Sequence, residues 1–318
     1  MKSIFLASIS DSYSFLGFSK DPSETPFFIV GIPLDETSSY RPGTRWAPQS
    51  IRKISKSLEL CTLMTGIDIE SIGFADLGDI VVKPGDIVGS LEVIHKTIRE
   101  YLSYDRTIFV LGGEHTITLG VVDAFIEFFE NPCLVVFDAH ADLRNEYLGT
   151  KYCHATVMRR VIEKTQLKKV ITVGARALST EEASFYKEYN NLKNNRLSIL
   201  RLSMLNRHKI YHTANLLQEA LAPCKSIYIS IDLDFIDPAY APGVQTPEPL
   251  GLLPSDLLDI LNKIIDKRVR IVDLVEVTPL YDYSELTSAL AAKLVVEIAG
   301  LIAIRKDIRV QKCGDDVW

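Results

Sequence analysis

Short apolar runs rich in branched residues recur along the chain, separated by stretches of helical periodicity, and this alternation constrains the fold more than any other feature. The runs are Phe27 to Val30, Thr107 to Leu111, Cys133 to Phe137, Val170 to Val173, Leu197 to Leu200, Ser226 to Ile231 and Val269 to Val275. Helical patterns cover Val88 to Leu102, Leu119 to Phe129, Ala155 to Lys164, Glu181 to Tyr189, Ala214 to Ala222, Pro254 to Lys267 and Leu286 to Ile304. Strands that are apolar throughout, alternating with helices, imply a parallel sheet covered on both faces. No linker, low-complexity tract or internal repeat divides the pattern, so one α/β domain over residues 1 to 318 is expected, with a closed eight-stranded barrel as the alternative.

In either architecture ligands gather at the carboxyl ends of the strands. Three of these ends carry chemistry. Gly112-Gly-Glu-His115 follows one run, Asp138-Ala-His140-Ala-Asp142 the next, and Ser226 to Ile231 leads into Asp232-Leu-Asp234. Side chains two apart on a strand share a face, so Asp232 and Asp234 project together. Paired carboxylates at the end of a buried strand repel and resist desolvation unless a cation lies between them.

Each motif has a plainer reading. A Gly-Gly turn after a strand is common, an N-capping aspartate accounts for one acid of the Asp-x-His-x-Asp trio, and Asp232 and Asp234 could form a polar turn before Pro238. Their recurrence at separate strand ends favours a metal centre. His115, Asp138, His140, Asp142, Asp232 and Asp234 supply two imidazoles and four carboxylates, a set suited to manganese or a similar first-row ion. Six ligands exceed what one ion with an open position needs, whereas two ions about 3.5 Å apart with bridging carboxylates would use them all.

The net charge of -6, with both signs interspersed, provides no basic field for nucleic acid, so a small molecule is the expected partner. The five cysteines are widely spaced without a Cys-x-x-Cys pair, from which a reducing compartment and no disulfide framework are expected. The polar region from Ser8 to Ser14 follows the first apolar residues too soon for a signal peptide. Lys293 and Glu297 interrupt the apolar stretch from Leu286 to Ile304, which reads as a core helix rather than a membrane span. These features together suggest the cytoplasm. His95, His208 and His212 fall outside every motif and are read as surface or core residues.

The chain resembles the ureohydrolases, the arginase and agmatinase superfamily. Gly112-Gly-Glu-His-Thr, Phe137-Asp-Ala-His-Ala-Asp and Ser230-Ile-Asp-Leu-Asp-Phe-Ile-Asp-Pro look like that family's three signatures in order and spacing. Gly31-Ile-Pro-Leu-Asp35, the segment from Arg41 to Arg52, and Leu274-Val-Glu-Val-Thr-Pro279 extend the likeness over about residues 27 to 305. The resemblance implies a three-layer α/β/α sandwich with a mainly parallel, doubly wound sheet, and metal-dependent hydrolysis of a guanidino compound that releases urea. It also implies a homo-oligomer, commonly a trimer or hexamer.

By the same resemblance one ion is held by His115, Asp138, Asp142 and Asp232, and the other by His140, Asp138, Asp232 and Asp234. Manganese is the usual family metal, and some relatives use nickel. Glu276 matches the glutamate that binds the guanidinium, and His154 matches a histidine beside the substrate that relays a proton. Asp142 and Asp234 could carry a proton from water to the leaving amine. The chemistry is consistent, because a resonance-stabilised guanidinium is a poor electrophile and demands a strong nucleophile at neutral pH. Without the resemblance, Glu276 could equally be a paired acid at a strand end.

Relatives that act on arginine read its amino-acid end with a Ser- and Asn-rich loop, a pattern the segment from Leu143 to His154 lacks. That segment is similar to archaeal-type agmatinases, so agmatine, giving putrescine and urea, is the expected substrate. Another guanidino or formimino hydrolase is the alternative: arginase, guanidinobutyrase or formiminoglutamase. Arg144 would welcome a carboxylate tail if it faces the pocket, whereas Glu146 would meet an amine. Gln245 and Leu250 replace frequent family glycines in a loop bordering the site, which bears on substrate preference. Related single-zinc deacetylases need neither the second histidine nor the full carboxylate set, and an inactive metal-binding subunit would be expected to have lost a ligand.

Overall fold

The computed structural model describes residues 3–7, 10, 13–103, 105–164, 166–192, 196–201 and 210–314, so the expectation for His208 lies outside the described residues. In chain order the strands are β1 (Leu6–Ala7), β2 (Phe27–Ile32), β3 (Ile67–Asp68), β4 (Ala75–Ile80), β5 (Thr107–Gly112), β6 (Pro132–Phe137), β7 (Lys169–Val173), β8 (Leu197–Leu200), β9 (Ser226–Asp232), β10 (Val269–Val275) and β11 (Gln311–Lys312). The helices are α1 (Ala47–Ser55), α2 (Ile69–Ile72), α3 (Ile87–Tyr101), α4 (Ile117–Phe128), α5 (Val157–Lys164), α6 (Thr180–Leu192), α7 (Ile210–Ala220), α8 (Pro254–Ile264) and α9 (Leu286–Arg305).

A nine-stranded sheet runs in the order β1-β4-β2-β5-β10-β9-β6-β7-β8. It is open, with β1 antiparallel at one edge and the remaining pairs parallel, which excludes the closed barrel. The central strands β2, β5, β6 and β9 are buried along their whole length because helices cover both faces. One apolar core packs α1, α8 and α9 on one face, and a second packs α3, α4 and α5 on the other. Five neighbouring strands, β2, β5, β10, β9 and β6, therefore end along one edge of the molecule.

β4 escapes the apolar pattern because Asp76 and Asp79 interrupt it. Both aspartates pair with Arg52 of α1, which is 3% exposed: Arg52 Nε lies 2.8 Å from Asp76 Oδ2 and Nη1 lies 2.5 Å from Asp79 Oδ1. Such a pairing lets a strand of mixed polarity sit inside a sheet, since buried Asp76 is paired and hydrogen-bonded with Arg52 while Asp79 stays partly exposed.

α9 is long and apolar enough to cross a membrane, yet 78% of its most apolar window is buried against the rest of the protein. Its Glu297 is fully buried, accepts the N–H groups of Leu63 and Met64 at 2.8 and 3.0 Å, and pairs with Lys293 at 2.9 Å. The interrupting charges thus anchor the segment after α1, as befits a core helix.

The cysteines correct the sequence expectation. Disulfides join Cys61 to Cys313 and Cys133 to Cys224, leaving Cys153 free and buried. The pairs are separated by 252 and 91 residues, so local spacing carries no signal of them. Tertiary pairing brings them together: β6 and β9 lie side by side, and β3 pairs with β11 next to Cys313. The argument from cysteine spacing to a reducing compartment loses its premise.

Candidate active site

The site is assembled from the turns that follow the five neighbouring strands. After β5, Gly113 brings the chain against the end of β2, where a Cβ would lie 2.0 Å from the Leu34 carbonyl oxygen, so only glycine fits. That contact turns His115 inward, where it is fully buried. Its Nδ1 lies 3.2 Å from Asp138 Oδ2, 3.1 Å from Asp142 Oδ2 and 3.4 Å from Asp232 Oδ2. Its Nε2 meets Ser230 Oγ at 3.1 Å, which fixes the ring with Nδ1 facing the carboxylates.

A second group surrounds His140. Its Nδ1 is 2.9 Å from Asp234 Oδ2 and 3.6 Å from Asp138 Oδ1, so Asp138 faces both histidines. The turns are locked by their own backbones: Ala139 N–H donates to Asp234 Oδ1 at 3.0 Å, and Asp234 N–H donates to Asp232 Oδ1 at 2.8 Å. Asp142 and Glu276 adopt left-handed φ values of 53° and 68°, which is uncommon for a glutamate.

The donor set fits metal ions. His115 with Asp138 and Asp232, and Asp138 with His140 and Asp234, each place ligand atoms close enough to surround a cation. His115 Nδ1 and Asp138 Oδ2 are buried 3.2 Å apart, yet neither has a partner in hydrogen-bond geometry, which is costly unless a cation satisfies them. The electrostatics agree. Burial, then the charges of Asp234 and Asp138, push Asp232 well above the usual carboxylate range. Burial and the Asp138 charge raise Asp142 to about 7. Burial opposes protonation of His115 and His140, yet the surrounding carboxylates raise both well above the ordinary imidazole value. Four aspartates held this close call for positive charge.

A cavity of about 150 Å³ opens onto this cluster, lined also by Ser39, Arg144, Tyr147, His154, Ala155, Thr246 and Glu276. Glu276, 2% exposed, accepts the His115 backbone N–H at Oε1 (2.6 Å) and the Gln245 amide at Oε2 (2.8 Å). Burial pushes its pKa well above the ordinary glutamate value, and the His115 N–H pulls the other way. His154 Nε2 lies 3.1 Å from Ser39 Oγ and its Nδ1 3.5 Å from Thr37 Oγ1. Burial, followed by the charges of His140 and His115, lowers His154 to about 4, so its ring is neutral at pH 7.

All eight residues singled out in the sequence thus converge, and Arg144 does face the cavity, its guanidinium 5.0 Å from the Tyr147 ring centre. Glu146 is exposed and does not line it. His95 pairs with Glu127 at 3.1 Å and His212 is exposed, both apart from the site. Sequence reading missed Thr37 and Ser39, and noted Gln245 only as a departure bearing on substrate preference. The loop bearing the first two is tied down by buried Glu114, which accepts the N–H groups of Glu36 and Thr37 at 2.8 and 2.7 Å. Glu114 lies within the Gly-Gly-Glu-His motif and was the available signal.

Comparison with known proteins identifies the family. Residues 25–300 match the arginase family. The chain is 33% identical to an agmatinase of Bacillus cereus over 279 residues, 86% of this chain and 91% of that protein. It is 35% identical to a mitochondrial guanidino acid hydrolase of Homo sapiens over 273 residues, 85% of this chain and 76% of that protein. The crystal structure of an agmatine ureohydrolase of Thermoplasma volcanium superposes with a TM-score of 0.79 at 32% identity, covering 96% of this chain and 97% of that one. With the open parallel sheet, the strand-end acids and histidines and a match across most of its length, the chain belongs to the arginase family and is an agmatinase-like amidinohydrolase.

Proposed function

We propose that this chain hydrolyses agmatine to putrescine and urea using two divalent ions, manganese foremost. His115, Asp138, Asp142 and Asp232 would hold one ion, and His140, Asp138, Asp232 and Asp234 the other. The observation that carries the reading is the shared position of Asp138, which faces both histidines, with Glu276 lining the same cavity. When bound, such a pair of ions supplies a water of lowered pKa as nucleophile.

The chain's own residues supply the rest. Glu276 presents a carboxylate to the planar guanidinium fork, forming paired charge-assisted hydrogen bonds that orient the central carbon toward the ions' site. His154, held by Ser39 and Thr37, is placed to accept a proton and pass it to the departing amine. Asp142 and Asp234 can take a proton from water and deliver it to the same nitrogen. Cytoplasmic residence and assembly as a trimer or hexamer belong to this reading; the buried α9 is consistent with the first, which the two disulfides oppose, and family likeness supports the second.

One observation favours a second substrate class. Arg144 at the cavity lip would attract a carboxylate tail, as in guanidinobutyrate or formiminoglutamate, and a relative is described as a guanidino acid hydrolase. Parallel rates of the manganese-loaded protein on agmatine, arginine, guanidinobutyrate and formiminoglutamate separate the two. Agmatine is expected to lead, and a clear preference for either carboxylate-bearing compound would replace agmatine with that class.

A further inference from the structure

The Gln245 side chain is fully buried and hydrogen-bonded at both ends. Its Nε2 donates to Glu276 Oε2 at 2.8 Å, and its Oε1 accepts the Ser39 N–H at 2.9 Å. The orientation follows from the partners. Turned over, the amide would set its oxygen against a carboxylate and its NH2 against an N–H group, losing both bonds. Its backbone N–H also reaches the Glu276 carbonyl oxygen, at 3.3 Å.

Two donors therefore fix the Glu276 carboxylate, one on each oxygen: the His115 N–H and the Gln245 amide. Each oxygen keeps a lone pair for the guanidinium fork. Ser39, held by the other end of the same amide, meets His154 through its hydroxyl. One side chain thus spans the distance between the carboxylate and the loop that steadies the imidazole, a link that glycine cannot make.

We propose that Gln245 is a positioning residue that clamps Glu276 in its guanidinium-binding orientation and ties it to the Ser39 loop. The inference rests on the reading of Glu276 given above. Removing the amide leaves Glu276 free to rotate away from the fork, weakening substrate binding, while the metal-holding residues, none of which shares a hydrogen bond with Gln245 among the described residues, should keep their ions.

A double-mutant cycle on manganese-loaded protein with agmatine tests this. Gln245→Met keeps the length without the bonds, and Gln245→Ala serves as a second variant should the first fold poorly; metal content and the thermal midpoint are read for each. Gln245→Met should lower kcat/KM roughly 10- to 100-fold, chiefly through KM, with metal content unchanged. Combined with Glu276→Gln it should add little to the loss caused by Glu276→Gln alone, because both act through one carboxylate. Full additivity, or an unchanged KM in both Gln245 variants while Glu276→Gln raises it, overturns the inference. If Glu276→Gln itself leaves KM unchanged, the guanidinium reading of Glu276 fails first and the inference falls with it.

Discussion

Replacing Glu276 by glutamine separates binding from stability. The carboxylate offers an acceptor to each of two donors, the His115 N–H at 2.6 Å and the Gln245 amide at 2.8 Å. Glutamine has one oxygen and one amino group. The backbone N–H of His115 cannot turn, so the oxygen must face it and the amino group meets the Gln245 amide. If Gln245 flips to accept, its amino group then opposes the Ser39 N–H. The defect moves but stays, costing about 1–3 kcal/mol as a buried donor without an acceptor.

An opposing effect acts in the metal-free protein. Burial raises the Glu276 pKa well above its ordinary value, so the ionised form destabilises the fold. Stability on this account is present below the unfolded glutamate pKa and is lost as pH rises through the folded one. The uncharged amide removes that loss, and the net change in stability at pH 7 should be small. Substrate binding has no such offset, because a guanidinium loses a charge-assisted partner worth about 1.5–3 kcal/mol. KM should rise roughly 10- to 150-fold with metal content retained. Steady-state urea release, metal analysis and urea denaturation read the three quantities. An unchanged KM in a folded, metal-loaded variant would refute the assignment of Glu276 to the guanidinium.

Three further outcomes are expected. Asp234→Asn should lower metal occupancy and activity together, because Asp234 Oδ2 sits 2.9 Å from His140 Nδ1; full activity with one ion lost, seen by metal analysis beside the urea assay, would overturn the two-ion reading. Leu250→Gly should raise stability by up to about 1 kcal/mol in chemical denaturation, since Leu250 is 81% exposed with φ at 65°, a conformation glycine adopts without strain. Lys306 is lowered from 10.5 to about 8 by burial and then by Arg270, so folding should gain stability as pH rises from about 8 to 10.5, and Lys306→Met should flatten that slope in denaturation curves.

The sheet was legible because its central strands are buried on both faces and so are apolar without interruption, as in Thr107–Gly112 and Ser226–Asp232. The acids and histidines were legible for the opposite reason: polar residues directly after such runs have no role in a core. What escaped depended on distant partners. β4 hides because Asp76 and Asp79 make sense only beside Arg52, and the disulfides because the sheet, not the local spacing, brings Cys133 to Cys224. Gln245 registered as a departure from a family pattern. Its bonds to Glu276 and Ser39 join residues 31 and 206 positions away, a relation no local pattern encodes.

The central claim, a two-ion centre that hydrolyses a guanidine, is tested most directly by titrating metal-free protein with Mn2+ while following bound metal and urea release from agmatine. Urea formation should reach its plateau at two ions per chain, with little activity at one. A plateau at a single bound ion, or urea release without added metal, would contradict it.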